Sequence, residues 1–125
     1  MTSIPEPGCV VGQEEFLNKG VWTAVENPAD FKNLRTLILH SGDESVESAL
    51  KLTEVTDRVV LLTPDEELMT TPELKEQLEK SNVKVLTQSR LLEIRGEVEV
   101  EKALIFNIEE DEEYELYVDA VVITE

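Results

Sequence analysis

Two short apolar runs, Leu37-Ile38-Leu39 and Val59-Val60-Leu61-Leu62, bracket a stretch with helical periodicity, and that alternation constrains the whole chain. Unbroken runs of this kind suit strands buried on both faces of a parallel sheet. Between them Val46, Ala49, Leu50 and Thr53 recur at i, i+3, i+4 and i+7. A helix here turns one mostly apolar stripe inward, while Glu44, Glu47, Lys51 and Glu54 face away. Parallel strands cannot be joined by a tight hairpin and need a crossover, usually a helix. Residues 34–64 therefore read as one βαβ unit.

The remaining chain extends that unit. Thr63-Pro64-Asp65-Glu66-Glu67 is a loop, and Thr71-Pro72 opens a second helix with Thr as N-cap and Pro at its first position. Leu74 and Leu78 form its inward face, Ser81-Asn82 ends it, and Val83-Lys84-Val85-Leu86 returns as a third parallel strand. From Ser89 the period drops to two: Leu92 and Ile94, then Val98 and Val100 between Glu97, Glu99 and Glu101, then Leu104-Ile105-Phe106, then Tyr114, Leu116 and Val118. This predicts an antiparallel meander that turns at Gly96 and again at the acidic run 109–113, before a last buried parallel strand over residues 119–124. Upstream, Gly20-Val21-Trp22-Thr23-Ala24-Val25 suits a short edge strand in which Trp22 packs, and residues 27–33 form a turn. Residues 1–19, with Pro5, Pro7, Gly8 and Gly12, read as an arm lying along a domain of residues 20–125, anchored by Phe16 and Leu17.

Charge narrows the partners. With 28 acidic and 11 basic residues the net charge is −17, so nucleic acid and anionic membrane, which need a positive surface, are not expected partners. A basic protein partner suits the balance, and so does adaptation to high salt. A chain of 125 residues supports one hydrophobic core. Cys9 is the single cysteine, which excludes an internal disulfide, suits a reducing cytoplasm and reads as an ordinary thiol. No stretch is long enough for a membrane helix, and Met1-Thr2-Ser3-Ile4-Pro5 lacks the features of a signal peptide. One His and one Cys support no zinc centre, and the 109–113 run lacks calcium-loop spacing and reads as a solvated hairpin tip.

The turn between the first strand and helix is where chemistry would lie. It reads His40-Ser41-Gly42-Asp43-Glu44-Ser45, where a full dinucleotide fingerprint reads G-x-G-x-x-G/A. Gly42 occupies the place that lets the backbone approach a pyrophosphate. His40 replaces the first glycine, and Ser45 is small enough for the third place. Ser41 and Glu44 have the spacing of a capping box, which would satisfy the helix N–H groups that a phosphate would otherwise use. Asp43, Glu44 and Glu47 add negative charge at the same end, competing with an anionic ligand. The expected fold class is α/β: a three-layer Rossmann-like domain with a central parallel sheet, two main helices on one side and a three-stranded antiparallel meander on the other.

Several stretches together resemble the pyridine-nucleotide domain of thioredoxin reductases and related flavin disulfide reductases. They are Gly12-Gln13-Glu14-Glu15-Phe16-Leu17 leading to Gly20-Val21, then Gly42-Asp43 with Val46-Glu47 and Ala49-Leu50, then Val59-Val60-Leu61-Leu62, and the closing Val118-Asp119-Ala120-Val121. The departures bear on function. The resemblance implies a C-x-x-C redox pair just after the Gly-Val strand, but Thr23-Ala24-Val25-Glu26-Asn27 has no cysteine, so dithiol chemistry is not expected. It implies arginines after the second strand that hold the 2′-phosphate of NADPH, and here stand Thr63-Pro64-Asp65. An acid there disfavours NADP, while Asp65 can accept a hydrogen bond from the ribose hydroxyls of NAD. The flavin domain that flanks this one in the family is not in the sequence, so FAD is not expected and a bound nicotinamide would find no acceptor within it.

Two functions lead, and a different adenine-containing ligand in the same crevice, with no named residue behind it, is a third. Of the leading two, one is a non-catalytic relative acting as a binding or regulatory module; the other is an NAD(H)-binding module serving a separate flavoprotein. The candidate nucleotide contacts are His40, Ser41, Gly42, Ser45, Thr63 and Asp65, with no catalytic and no metal residues. For His40 a plain role at the strand end competes with a nucleotide contact.

Overall fold

The computed structural model describes residues 10–123. Pro5, Pro7, Gly8 and Cys9 of the arm, and Thr124, lie outside the described residues. The chain runs β1 (Val21–Trp22), a 3-10 turn (Pro28–Phe31), β2 (Thr36–Leu39), α1 (Asp43–Leu52), β3 (Val59–Leu62), α2 (Pro72–Glu79) and β4 (Lys84–Leu86). It continues through β5 (Ser89–Arg95), β6 (Lys102–Asn107), β7 (Glu112–Tyr117) and β8 (Ala120–Val122). Five strands form one parallel sheet in the order β1-β8-β2-β3-β4, and β5-β6-β7 form a separate antiparallel sheet. This is the expected Rossmann-like α/β architecture.

Strand pleating divides the core into two layers, because successive side chains point to opposite faces. Leu37, Leu62 and Val121 pack under the antiparallel sheet against Leu91, Ile94, Ala103 and Ile105. Ile38, Leu61, Ala120 and Val122 pack on the other face against Val46, Ala49 and Leu52 of α1 and Leu78 of α2. The central strands are thus covered on both sides, which is why their sequences read as continuous apolar runs. Trp22 lies on Phe31 with ring centroids 4.8 Å apart, closing the helical layer at its β1 edge.

The helix face departs from the sequence pattern at its end. Ser45, Val46, Ala49 and Leu52 are the buried residues of α1. Leu50 is half-buried, and Thr53 is the C-cap, its hydroxyl donating to Leu50 O at 2.6 Å. The stripe against the sheet is therefore Val46, Ala49 and Leu52, with Leu50 at its edge. Val98 is not in a strand: residues 97–100 form a turn closed by Glu101 N–H to Arg95 O at 2.9 Å, and Val98 is 75% exposed. Only Val100 of that pair enters the core.

Phe16 is buried in the antiparallel-side core, whereas Leu17 remains exposed and does not anchor the arm. The backbone makes the other attachment, with Val11 N–H to Leu92 O at 3.2 Å and Ile94 N–H to Val11 O at 2.8 Å. Gly20, at φ +120°, is held where a Cβ would lie 2.6 Å from Val100, so only glycine brings the arm this close to the sheet.

At the amino ends of the strands an ion pair that the sequence pattern does not announce ties β2 to β8. Asp119 accepts from Arg35 N–H at 2.9 Å, from Nε at 3.0 Å and from Nη2 at 3.2 Å. The Arg35 guanidinium holds the Asp119 carboxyl below its ordinary pKa, and hydrogen bonding to that carboxylate raises the pKa of Arg35.

Candidate functional site

The strand order fixes where a ligand would lie. From β2 the chain steps outward through β3 to β4, then returns to β8 on the opposite side of β2. The order reverses between β2 and β8, and in open α/β sheets ligands bind at the carboxyl ends of the strands beside such a switch point. His40, Ser41 and Gly42 follow β2 at that end, directly before α1.

The helix starts one residue later than its S-x-x-E spacing suggests. Its N-cap is Gly42, with no side-chain cap hydrogen bond, so Ser41 stands one residue too early and Glu44 one too early to complete the box. Gly42 adopts φ +133° and ψ −171°, and a Cβ built there would meet nothing within 4 Å. Backbone is exposed to an approaching group at this point, and the N–H dipole end of a 10-residue helix faces it.

Ser45 ties the turn together from the third fingerprint place. Its Oγ donates to Gly42 O at 2.6 Å, accepts from Ser41 N–H at 3.1 Å and lies 2.9 Å from His40 Nδ1. His40 Nε2 lies 2.8 Å from Met69 O. A carbonyl oxygen only accepts, so Nε2 is a ring nitrogen that carries hydrogen. His40 is thus a buckle between the β2 turn and the loop after β3. A second link is Thr70 Oγ1 donating to Asp43 Oδ1 at 2.7 Å, which engages one of the carboxylates at the start of α1. Sequence reading missed Met69 and Thr70, because nothing in a loop's composition says which backbone carbonyl a histidine will meet.

Thr63 and Asp65 sit at the end of β3. Thr63 is fully buried, and its Oγ1 accepts from Asp65 N–H at 3.3 Å. Its backbone N–H donates to Leu86 O at 2.9 Å and its C=O accepts from Ser89 N–H at 3.1 Å. It shapes the loop rather than presenting a side chain to solvent. Asp65 is exposed, with its C=O accepting from Gln88 N–H at 2.8 Å, so its backbone is held at the rim. His40, Ser41, Gly42 and Ser45 form one connected cluster, and Thr63 and Asp65 form a second at the end of the neighbouring strand. Among the described residues there is no group of three or more His, Cys, Asp or Glu able to hold a metal ion, and no helix is long and apolar enough to cross a membrane.

A parallel sheet with this switch point, two helices on one face and a glycine at the first strand-to-helix turn defines a Rossmann-like α/β domain. The family model described as "Pyridine nucleotide-disulphide oxidoreductase" matches residues 35–110, and the chain belongs to that family. It is 34% identical over 116 residues to a ferredoxin–NADP reductase of Thermus thermophilus, covering 90% of this chain and 35% of that protein. It is 29% identical over 114 residues to the thioredoxin reductase of Treponema pallidum, covering 90% of this chain and 37% of that protein. The chain therefore spans about a third of the length of these curated relatives. Its fold is shared with the thioredoxin reductases of Lactococcus lactis (TM-score 0.88, 22% identity, 98% of this chain and 41% of that one) and T. acidophilum (TM-score 0.86, 20% identity, 98% and 40%).

Proposed function

We propose that this chain is an NAD(H)-binding module of the thioredoxin reductase and ferredoxin–NADP reductase type, non-catalytic by itself and working with a flavin held outside these residues. The observation that carries the proposal is the Gly42 cap: an amino end of α1, at the switch point, whose N-cap residue has no side chain and leaves open space where a Cβ would stand. Gly42 brings the backbone against the pyrophosphate, the first-turn N–H groups donate to it, and Ser45 keeps the turn tight without adding bulk. The engagement of Asp43 by Thr70 lessens the competition from the acidic first turn.

The preference for NAD over NADP rests on the loop after β3. Residues 63–67 read Thr-Pro-Asp-Glu-Glu; Glu67 is paired with Lys75, which leaves Asp65 and Glu66 without an ion pair among the described residues. A 2′-phosphate adds roughly 1.5 to 2 negative charges, which this loop repels, whereas Asp65 suits ribose hydroxyls. The relatives named as ferredoxin–NADP reductases carry NADP in their names; the acidic loop is the reason to separate this chain from them. A bound nicotinamide supplies or accepts a hydride. The chain's own groups bind and orient: the hydroxyl nearest His40, that of Ser45, is buried and donates to Gly42 O, so it is not a nucleophile.

Calorimetric titration with NADH and NADPH tests this. Saturable NADH binding, lost in Gly42→Val, with NADPH weaker by about tenfold or more, is the expected result. No heat with either nucleotide at about 1 mM, or NADPH binding the tighter, overturns it.

A further inference from the structure

Among the described residues no strand pairs with the outer side of β4, and that edge has the character of a peptide-docking groove. Leu86 O accepts from Thr63 N–H, so the backbone of Leu86 points toward β3. Backbone groups alternate along a strand, so those of Val85 point the other way, outward from the sheet. Beside them lies a groove of about 590 Å³ between β4 and the carboxyl-terminal half of α2, floored by Leu78, Val83 and Val85 and rimmed by Glu66, Glu67 and Glu79. The one cation in its lining, Lys75, is ion-paired with Glu67. Lys84 alternates with Val83 and Val85 and projects on the opposite face of the strand.

We propose that this groove accepts an extended, basic segment of a partner protein as an added strand beside β4. Three features fit together: an outward N–H and C=O at Val85 for main-chain pairing, an apolar floor for an alternate side chain, and a rim with net negative charge for Lys or Arg on either side of it. The net charge of −17 draws such a segment in, and the apolar floor with the strand edge gives it a register. An acidic segment is excluded by the rim, and a second copy of this chain brings the same carboxylates to the same edge. The proposal is independent of nucleotide binding at Gly42.

The probe is the synthetic peptide acetyl-Lys-Val-Lys-Val-Lys-amide, with Lys-Gly-Lys-Gly-Lys and Glu-Val-Glu-Val-Glu as controls, followed by amide spectra and hydrogen exchange. At about 1 mM peptide the Lys-Val peptide should shift the amides of residues 83–87 and slow exchange at Val85 by roughly tenfold, and neither control should. Glu66→Lys with Glu79→Lys, two exposed changes, should weaken binding by about tenfold. Val85→Pro removes the outward N–H together with the Val85 side chain of the floor and should abolish the effect, whereas Val85→Ala, which keeps the N–H, should only weaken it; circular dichroism should show the fold intact in both. Equal binding of the Lys-Val and Lys-Gly peptides, no change at Val85, or concentration-dependent dimerisation lost in Val85→Pro overturns the proposal.

Discussion

Gly42, at φ +133°, holds a backbone conformation that L side chains adopt only under strain. Because nothing lies within 4 Å of a Cβ at that position, Gly42→Ala should cost backbone strain alone, about 1 kcal/mol in urea denaturation. A variant as stable as the parent would mean that the turn relaxes freely and that the cradle is not preformed. Asp119 illustrates the residue scale at the other end of the sheet. Arg35 lowers its folded pKa, so the pair contributes stability that is present above the unfolded value of about 3.9 and is lost as pH falls through the lower folded value. Asp119→Asn should therefore be less stable at neutral pH and should show a flatter loss of stability below about pH 4. Parallel acid limbs for parent and variant would contradict that linkage.

Element by element, the sequence was most legible where burial is two-sided or where a cap is local. The Thr71 cap is as read: its side chain accepts from Leu74 N–H at 3.2 Å with Pro72 next in the chain. Thr71→Ala should cost about 1 kcal/mol, measurable by thermal or urea unfolding. The α1 cap departs from its S-x-x-E spacing because capping depends on which residue leaves the helical conformation first, and Gly42 takes that place from Ser41. The inward stripe of α1 is legible at Val46 and Ala49, with Leu50 at its edge, and departs only at its end: positions at helical spacing fit more than one stripe, and the position of the sheet chooses Leu52 over Thr53. Leu52→Ala should accordingly cost about 2–5 kcal/mol, and Leu50→Ala distinctly less. Leu17 and Val98 show the same limit for tertiary context. Alternation with glutamates marks Val98 as strand-like, yet a tight turn at Gly96 turns it outward, while Leu17 stays exposed beside Phe16, which is buried as read.

For the molecule as a whole, the parallel order, the antiparallel cover and the family were accessible from periodicity and motif, whereas the links that arrange the site were not. Arg35 to Asp119 and His40 to Met69 span 84 and 29 residues of sequence, and such pairings arise only once the strands are in register. Net charge is a whole-molecule property with its own consequence. At −17 the folded chain repels itself, so raising NaCl from about 20 to about 500 mM should raise the Tm by roughly 5 °C. A fall in Tm would mean that local ion pairs such as Arg95 with Glu93 and Glu115 outweigh the global repulsion. The central claim, that the glycine-capped start of α1 is a nucleotide cradle, is tested most directly by following backbone amide resonances during an NADH titration. Saturable shifts at Gly42, Asp43 and Asp65, larger with NADH than with NADPH, are the expected result; amides at these positions that stay unmoved at millimolar NADH would contradict it.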